Sequence, residues 1–198
     1  MRLVTAAARV VADRNDATID DFIRAAGVAR GTFYNYFPTR EDLFEALWAH
    51  VGKDPFMRIQ RGCASLSDPA ERLVCQIRRI LDCAAEDEVW GWVIYSMSED
   101  VKTLNADLMA FPTSDLLAGV AAERFALISV PAARDLVVAT VRNALRAVML
   151  SKAGPLYREA ICRMVLLALG LPESEAGRLS EKEAGAFSVS ACEPFESV

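Results

Sequence analysis

The stretch that decides the fold is TIDDFIRAAGVARGTFYNYFPTREDL, residues 18–43. Thr18, followed by Asp21 three residues later, has the pattern of a helix N-cap with a capping box. Gly27 can adopt the left-handed conformation that ends a helix sharply, and Thr39 is a second N-cap residue. The segment therefore predicts a helix-turn-helix, in which two short helices meet at a tight glycine turn and a further helix begins after Thr39.

The second of these short helices, residues 29–36, is predicted to have two distinct faces. At about 100° per residue, Phe33 and Phe37 fall on one face, where they would pack against Phe22 of the preceding helix. The opposite face and its flanks carry Arg30, Gly31, Thr32, Tyr34, Asn35 and Tyr36.

The chemistry of this second face suits double-stranded DNA. Arg30 can donate two hydrogen bonds to a guanine edge or pair with a phosphate, and Asn35 can read adenine. Thr32 offers a methyl or a hydroxyl group, and Gly31 lets the helix backbone approach closely. Hydroxyl and guanidinium groups also donate to phosphate oxygens, and the residues placed for this role are Thr18, Tyr34, Tyr36 and Arg40.

The segment AAGVARGTFYNYFPTREDLFEAL, residues 25–47, resembles the DNA-binding signature of the tetracycline-repressor (TetR/AcrR) family, typically AGVSKGTLYRHFPSKEELL. This resemblance covers about the first quarter of the chain. It implies that Arg30, Gly31, Thr32 and Asn35 face bases, and that Thr18, Tyr34, Tyr36 and Arg40 hold phosphates. The matching positions are Ala26, Gly27, Val28, Gly31, Thr32, Phe33, Tyr34, Phe37, Pro38, Arg40, Glu41 and Leu43.

Three features depart from the family pattern. Ala29 stands where a serine usually caps the recognition helix, so one hydroxyl group is missing. Ile23 stands where a small alanine lets the two helices cross closely, and a slightly wider docking is expected. Many relatives carry a short basic arm before the first helix, and the residues here predict none, so we expect fewer phosphate contacts from this end.

The C-terminal part contains two stretches, 132–152 and 155–170, that are apolar on more than one face. Such helices must be buried twice, once against their own core and once against another surface. Pairing with their symmetry mates would give a four-helix dimer interface, in agreement with the usual dimer of the family. The alternative is that both are central helices of a monomeric bundle.

The resemblance implies that the C-terminal domain also binds a small molecule. Trp90, Ile94 and Met97 share one face of a predicted helix, with Tyr95 on another face and Phe111 further along the chain. These residues could line a pocket for a small apolar effector, or they could be ordinary core. Candidates for a polar anchor are Glu99, Asp100 and Arg124.

Composition bounds the remaining possibilities. With 198 residues, 53% hydrophobic and 25% charged, the chain is predicted to be globular and all-α. The expected organisation is an N-terminal three-helix helix-turn-helix DNA-binding domain over residues 1–52, a larger helical effector-binding and dimerisation domain over 53–185, and a flexible tail over 186–198. Further helices are expected over 87–100, 113–127, 132–152 and 155–170, with a looser stretch over 52–67 and prolines at 112, 131, 155 and 172 as breaks.

Net charge is −5, and residues 1–52 contain six Lys and Arg against seven Asp and Glu. DNA contacts must therefore come from local placement of charge, since overall attraction is absent. The odd number of cysteines (Cys63, Cys75, Cys83, Cys162 and Cys192) without CxxC spacing favours a reduced, cytoplasmic protein and no zinc site.

Other function classes have little support in the sequence. His50, the single histidine, has no partner at catalytic spacing, and the chain lacks a phosphate-binding loop, a GxGxxG motif and a metal-ligand run. No apolar stretch is long enough to span a membrane. We therefore expect no catalytic residues, metal or cofactor. A helical protein-interaction module is an alternative, but it leaves the exposed Gly-Thr-Tyr-Asn face unexplained.

Overall fold

A computed structural model describes residues 2–13, 17–100, 102–151 and 153–182 of the chain. Every regular element within these residues is helical, which confirms the predicted all-α class. One π-helical segment, Trp48–Gly52, joins the fourth and fifth helices. The α-helices are α1 (Arg2–Asp13), α2 (Ile19–Ala26), α3 (Arg30–Tyr36), α4 (Arg40–Leu47), α5 (Lys53–Cys63), α6 (Pro69–Glu86), α7 (Glu88–Asp100), α8 (Lys102–Ala121), α9 (Val130–Ser151), α10 (Pro155–Ala168) and α11 (Glu173–Glu181).

The caps of the N-terminal helices follow the sequence closely. The Thr18 backbone N–H donates to the Asp21 carboxylate at 2.9 Å, and the Asp21 N–H donates to the Thr18 hydroxyl at 3.4 Å. Thr39 and Asp42 form the same reciprocal pair at the start of α4. Gly27 ends α2 with φ of 63°, in the left-handed region that favours glycine. The predicted helix-turn-helix is therefore confirmed.

Two groups of helices share one continuous core. In the N-terminal group, the rings of Phe22 and Phe44 meet edge to face at 6.3 Å, and Phe33 and Leu43 are buried beside them. In the C-terminal group, α6 is central and packs against α5 and against each helix from α7 to α11. Helix α1 lies against α7, so the first helix links the two groups directly.

The looser stretch predicted over residues 52–67 is wrong, because α5 fills most of it. Helix α4 continues through the π-helical segment into α5 without a break. Gly52 fits there because a side chain at this position would collide with the Trp48 ring. The Trp90 indole N–H, from α7, donates to the Gly52 carbonyl at 3.2 Å. The predicted domain boundary at 52/53 falls inside this helical segment and stays a prediction.

The break predicted at Pro112 is also wrong. This residue lies inside α8, although it was expected to break the chain there. Proline removes one backbone donor and disfavours helix at the preceding residue, but its ring is buried here, so packing outweighs the local preference.

The sequence analysis also missed α11, which begins after Pro172. The predicted flexible tail, residues 186–198, lies outside the described residues.

Arg124, in the loop after α8, clamps two helix starts together. Its Nη2 lies 2.8 Å from both the Asp68 and the Glu175 carboxylates, at the beginnings of α6 and α11. Burial opposes ionisation of Asp68, yet the hydrogen bonds from Arg124 outweigh it and its pKa is lowered. The same guanidinium lowers the pKa of Glu175. Arg124, one of the candidate polar anchors for an effector, thus has a structural role.

We expect Arg124→Gln to reduce the free energy of unfolding by about 2 kcal/mol at pH 7, because two charge-assisted hydrogen-bonded contacts are lost. Both carboxyl pKa values are lowered from their ordinary 3.8 and 4.5. The clamp therefore stabilises fully above those values and weakens as the pH falls below about 4. Urea unfolding of both proteins from pH 7 down to pH 3 measures this difference.

The control is Arg178→Gln, which removes an exposed guanidinium 3.6 Å from Glu175 and should change stability by under ~0.5 kcal/mol. A loss in Arg124→Gln that is equal at every pH would show that the clamp does not act through ionised carboxylates.

Candidate nucleic-acid interface and effector pocket

Helix α3 is held by one side and presents the other to solvent. Phe33 is 1% exposed and its ring lies 5.6 Å from that of Phe37, so these two aromatics anchor the helix to the core. Tyr36 is 66% exposed and lies on the free side. The structure brings all six residues predicted on α3 to this solvent-facing surface, which comprises Arg30, Gly31, Thr32, Tyr34, Asn35 and Tyr36.

Gly31 has no structural need to be glycine within this chain. A Cβ added at this position would meet no atom within 4 Å, and the residue does not have a positive φ. Glycine nevertheless costs an exposed helix up to about 1 kcal/mol relative to alanine. The absence of a side chain here is therefore a feature of the outer surface, where it leaves room for an approaching molecule.

Arg30 is the charged residue of this surface. Its guanidinium lies 3.4 Å from the Asp20 carboxylate and 5.9 Å from the centre of the Tyr34 ring. The hydrogen bond with Tyr34 and the charge of Asp20 raise its pKa. Both ends of the Arg30–Asp20 pair are mostly exposed, so the pair stabilises the protein little. Arg30 can therefore leave Asp20 and pair with another anion with little loss of stability.

Thr18 and Arg40, the other two predicted phosphate contacts, lie close together. Arg40 donates to the carbonyl of Ala17 at 3.1 Å, and its guanidinium lies 5.0 Å from the Phe44 ring centre. This bond ties the start of α4 to the start of α2. The Thr18 hydroxyl donates to Asp21 at 2.7 Å. Both side chains therefore already make hydrogen bonds that stabilise the fold.

Helix α3 begins without a side-chain cap. Ala29 occupies the N-cap position with extended backbone, and no side chain accepts a hydrogen bond from the first turn. The serine that usually stands here would supply such an acceptor. The first departure noted in the sequence thus leaves α3 dependent on Phe33 and Phe37 for its position.

A narrow apolar pocket lies inside the C-terminal group of helices. Its cavity volume is about 40 Å³, and it opens partly to solvent. Helices α5, α6, α7, α8 and α9 contribute to its wall. The lining residues are Phe56, Ile80, Ile94, Phe111, Val138, Val141, Arg142 and Leu145.

The sequence analysis named two of these lining residues, Ile94 and Phe111. Of the other predicted pocket residues, Met97 is fully buried and Trp90 bonds to Gly52. Tyr95 carries the Arg142 guanidinium 4.7 Å from its ring centre, so it borders the pocket through that arginine. Arg142 was missed, although a charge that interrupts the richest apolar stretch of the sequence is a usable signal.

Membrane and metal sites find no support in the described part of the chain. None of its helices combines the length and apolar character needed to cross a bilayer. Nor do three or more metal-ligating side chains come together there. The side chains of residues 98–109, which include the candidate anchors Glu99 and Asp100, lie outside the described side chains.

Two family models match this chain. Residues 3–47 match bacterial regulatory proteins of the tetR family, and residues 68–182 match the tetracyclin repressor-like C-terminal domain. The chain belongs to the tetracycline-repressor family. It is accordingly a DNA-binding transcriptional regulator and not an enzyme.

Individual relatives are similar over different shares of the regulator. The HTH-type transcriptional repressor LfrR of Mycolicibacterium smegmatis is 45% identical over 49 residues, 25% of this chain and 26% of that protein. The structure of RolR with resorcinol has a TM-score of 0.70 at 24% identity, covering 91% of this chain and 92% of that one. The structure of a tetR family regulator from Shewanella sp. PV-4 has a TM-score of 0.69 at 18% sequence identity, and the match covers 86% of this chain and 97% of that one. These two structures confirm the fold.

Proposed function

We propose that this regulator is a repressor that binds a pseudo-palindromic operator as a homodimer and leaves it when a small molecule binds. The observation that carries the proposal is the face of α3, whose polar residues are exposed to solvent and whose glycine would have room for a side chain. The LfrR relative, which is 45% identical over 49 residues, is named a transcriptional repressor.

In this proposal α3 enters the major groove, with Gly31 bringing the backbone close to the base edges. Asn35 reads adenine with two hydrogen bonds, and Arg30 leaves Asp20 to pair with guanine or a phosphate. Thr32 touches a further base. Tyr34 and Tyr36 donate to phosphates, and Thr18 and Arg40 lie where a phosphate would approach the starts of α2 and α4.

The proposed dimer interface uses α9 and α10. Leu156 and Met164 on α10 are 81% and 64% exposed, and Leu167 lies on the same helix. Leu136 and Leu150 are exposed at the two ends of α9. Apolar side chains this exposed are stabilised when a second copy covers them, and a two-fold axis would make α9 and α10 into a four-helix interface. Such a dimer can place two α3 helices about one DNA turn apart.

The proposed effector is a small aromatic molecule with a hydrogen-bond acceptor oxygen. The pocket wall is apolar apart from Arg142, which supplies donors and no acceptor. The RolR structure, similar in fold, contains resorcinol, a molecule of this class. Phe56 of the pocket wall lies on α5, which continues the helix that begins in the DNA-binding part, so a ligand there can bias the position of α3.

We expect Gly31→Ala to stabilise the free protein by up to about 1 kcal/mol and to weaken operator binding by at least about tenfold. The added methyl group meets nothing in the chain but occupies the space that DNA would use. Asn35→Ala should lose a similar amount of affinity through the lost base contact. Titrations of the DNA upstream of its own gene at two salt concentrations measure this.

Leu117→Ala, on the surface of α8, is the matched control and should bind like the native protein. Tight operator binding by Gly31→Ala and Asn35→Ala alike would show that this face does not contact DNA.

We expect Met164→Glu to turn the dimer into a folded monomer, because a charge would be buried in the interface while nothing changes in the monomer core. Sedimentation analysis would measure the mass, and operator binding should fall with it. Leu117→Glu places the same charge on an exposed apolar site of α8 and should leave the dimer intact. A dimeric Met164→Glu protein would place the interface elsewhere.

We expect resorcinol to raise the melting temperature by several degrees, since ligand at about 100 times its Kd adds roughly 2.7 kcal/mol to stability. The same concentration should weaken operator binding. Arg142→Met should lose both effects, whereas Arg146→Met, one turn further along α9 and exposed, should keep them. A native protein that resorcinol neither stabilises nor releases from DNA would contradict this effector class.

A further inference from the structure

Two cysteines meet at the junction of α5 and α6. Cys63 is the last residue of α5, Cys75 lies in the second turn of α6, and their Sγ atoms are 2.6 Å apart. A disulfide bond is about 2.05 Å long, so the sulfurs are within about 0.6 Å of bonding distance. The helices already hold the pair in position, and no large backbone movement is needed to join them.

The two thiols differ in a way that assigns them different roles. Cys63 is fully buried, whereas Cys75 is half-buried and reaches solvent. Hydrogen bonds from Cys63 and from the Arg79 Nε, which lies 3.4 Å from the Cys75 sulfur, lower the pKa of Cys75. The shared hydrogen bond with Cys75 and burial raise the pKa of Cys63. Cys75 is therefore the nucleophile, since the thiolate is the reactive form.

We propose that Cys63 and Cys75 form a reversible disulfide site oxidised by a small hydroperoxide, with Cys75 attacking first and Cys63 resolving. The Cys75 thiolate attacks one peroxide oxygen, the O–O bond breaks, and Cys75 becomes a sulfenic acid. For hydrogen peroxide, the departing hydroxide takes a proton and leaves as water. Cys63 then attacks the sulfenic sulfur, the S–O bond breaks, and the hydroxide takes the Cys63 proton as a second water. The two sulfurs lose two electrons and the peroxide gains them.

The surroundings of the site select this class of oxidant. Cys75 is only partly accessible, which favours a small molecule over a protein disulfide. The charge of nearby Glu71 opposes the approach of an anion, so a neutral oxidant is favoured. Cys162 offers a contrast, because burial raises its pKa to about 11 and it lies outside the pair. Oxidation of the pair would fasten the end of α5 to α6, the two helices that supply Phe56 and Ile80 to the pocket wall.

The test uses the whole reduced protein and hydrogen peroxide, followed by alkylation of free thiols and tryptic digestion without reduction. Cleavage after Arg61, Arg72 and Arg78 puts Cys63 in peptide 62–72 and Cys75 in peptide 73–78. We expect mass spectrometry to find these two peptides linked, with the loss of two hydrogen atoms, and dithiothreitol to separate them. Folded native protein in which both peptides stay unlinked at peroxide excess would overturn the proposal.

Variants then test the order of the two steps. Cys63→Ala should leave Cys75 as a sulfenic acid that dimedone traps, whereas Cys75→Ala should leave Cys63 unoxidised. Cys162→Ala is the matched control and should give the linked pair at the native rate. Dimedone labelling of Cys63 in Cys75→Ala would reverse the assigned roles and overturn this part of the proposal. Circular dichroism confirms the fold of each variant, and the native result stands without them.

Discussion

The hydrogen bond from the Trp90 indole to the Gly52 carbonyl holds the joint between α4 and α5, which is the π-helical segment Trp48–Gly52. The rest of the structure depends on the position of this joint. Helix α4, the π-helical segment and α5 form one continuous rod, and its wide turn sits against α7 at this bond. On one side of the joint the rod packs with the helices that hold α3. On the other side it carries Phe56 into the pocket wall. The two surfaces of interest are thus connected through helical backbone, which transmits a displacement better than a loop would.

A π-helical turn is well suited to this position. Its wider ring leaves space in the backbone ladder, and such turns are frequent at functional sites. Gly52 fits because any side chain there would collide with Trp48, and its carbonyl is free to accept from Trp90. Removing the indole donor would leave a buried carbonyl without its partner, so the joint is also a point where small changes have a large effect on stability.

The sequence predicted the N-terminal part well because its signals are local. Thr18 with Asp21, Gly27, and Thr39 with Asp42 each fix a helix end through bonds between near neighbours. The π-helical joint and α8 depend instead on tertiary packing. Gly52 and Pro112 are helix-breaking by local preference, and contacts from Trp48 and from the C-terminal core override that preference. Ile94 and Phe111 of the pocket lining were predicted, but Phe56, Ile80 and Arg142 were not, because they come from three separate helices that only the tertiary fold brings together.

The acidic balance of the chain constrains how the DNA-binding face can work. With six basic and seven acidic residues in the first 52, long-range attraction adds little affinity, and binding must rest on close complementarity. The Arg30–Asp20 pair fits this requirement, because Asp20 neutralises the Arg30 guanidinium until a more favourable anion replaces it. Non-specific DNA offers phosphates without the base contacts proposed for Asn35 and Gly31, so under that proposal it gains less from breaking the pair. Weak overall attraction thereby raises the ratio of specific to non-specific binding, which decides occupancy when competing sites are numerous. Weak overall attraction also makes release from DNA easier, because an effector that favours the unbound state has fewer phosphate contacts to overcome.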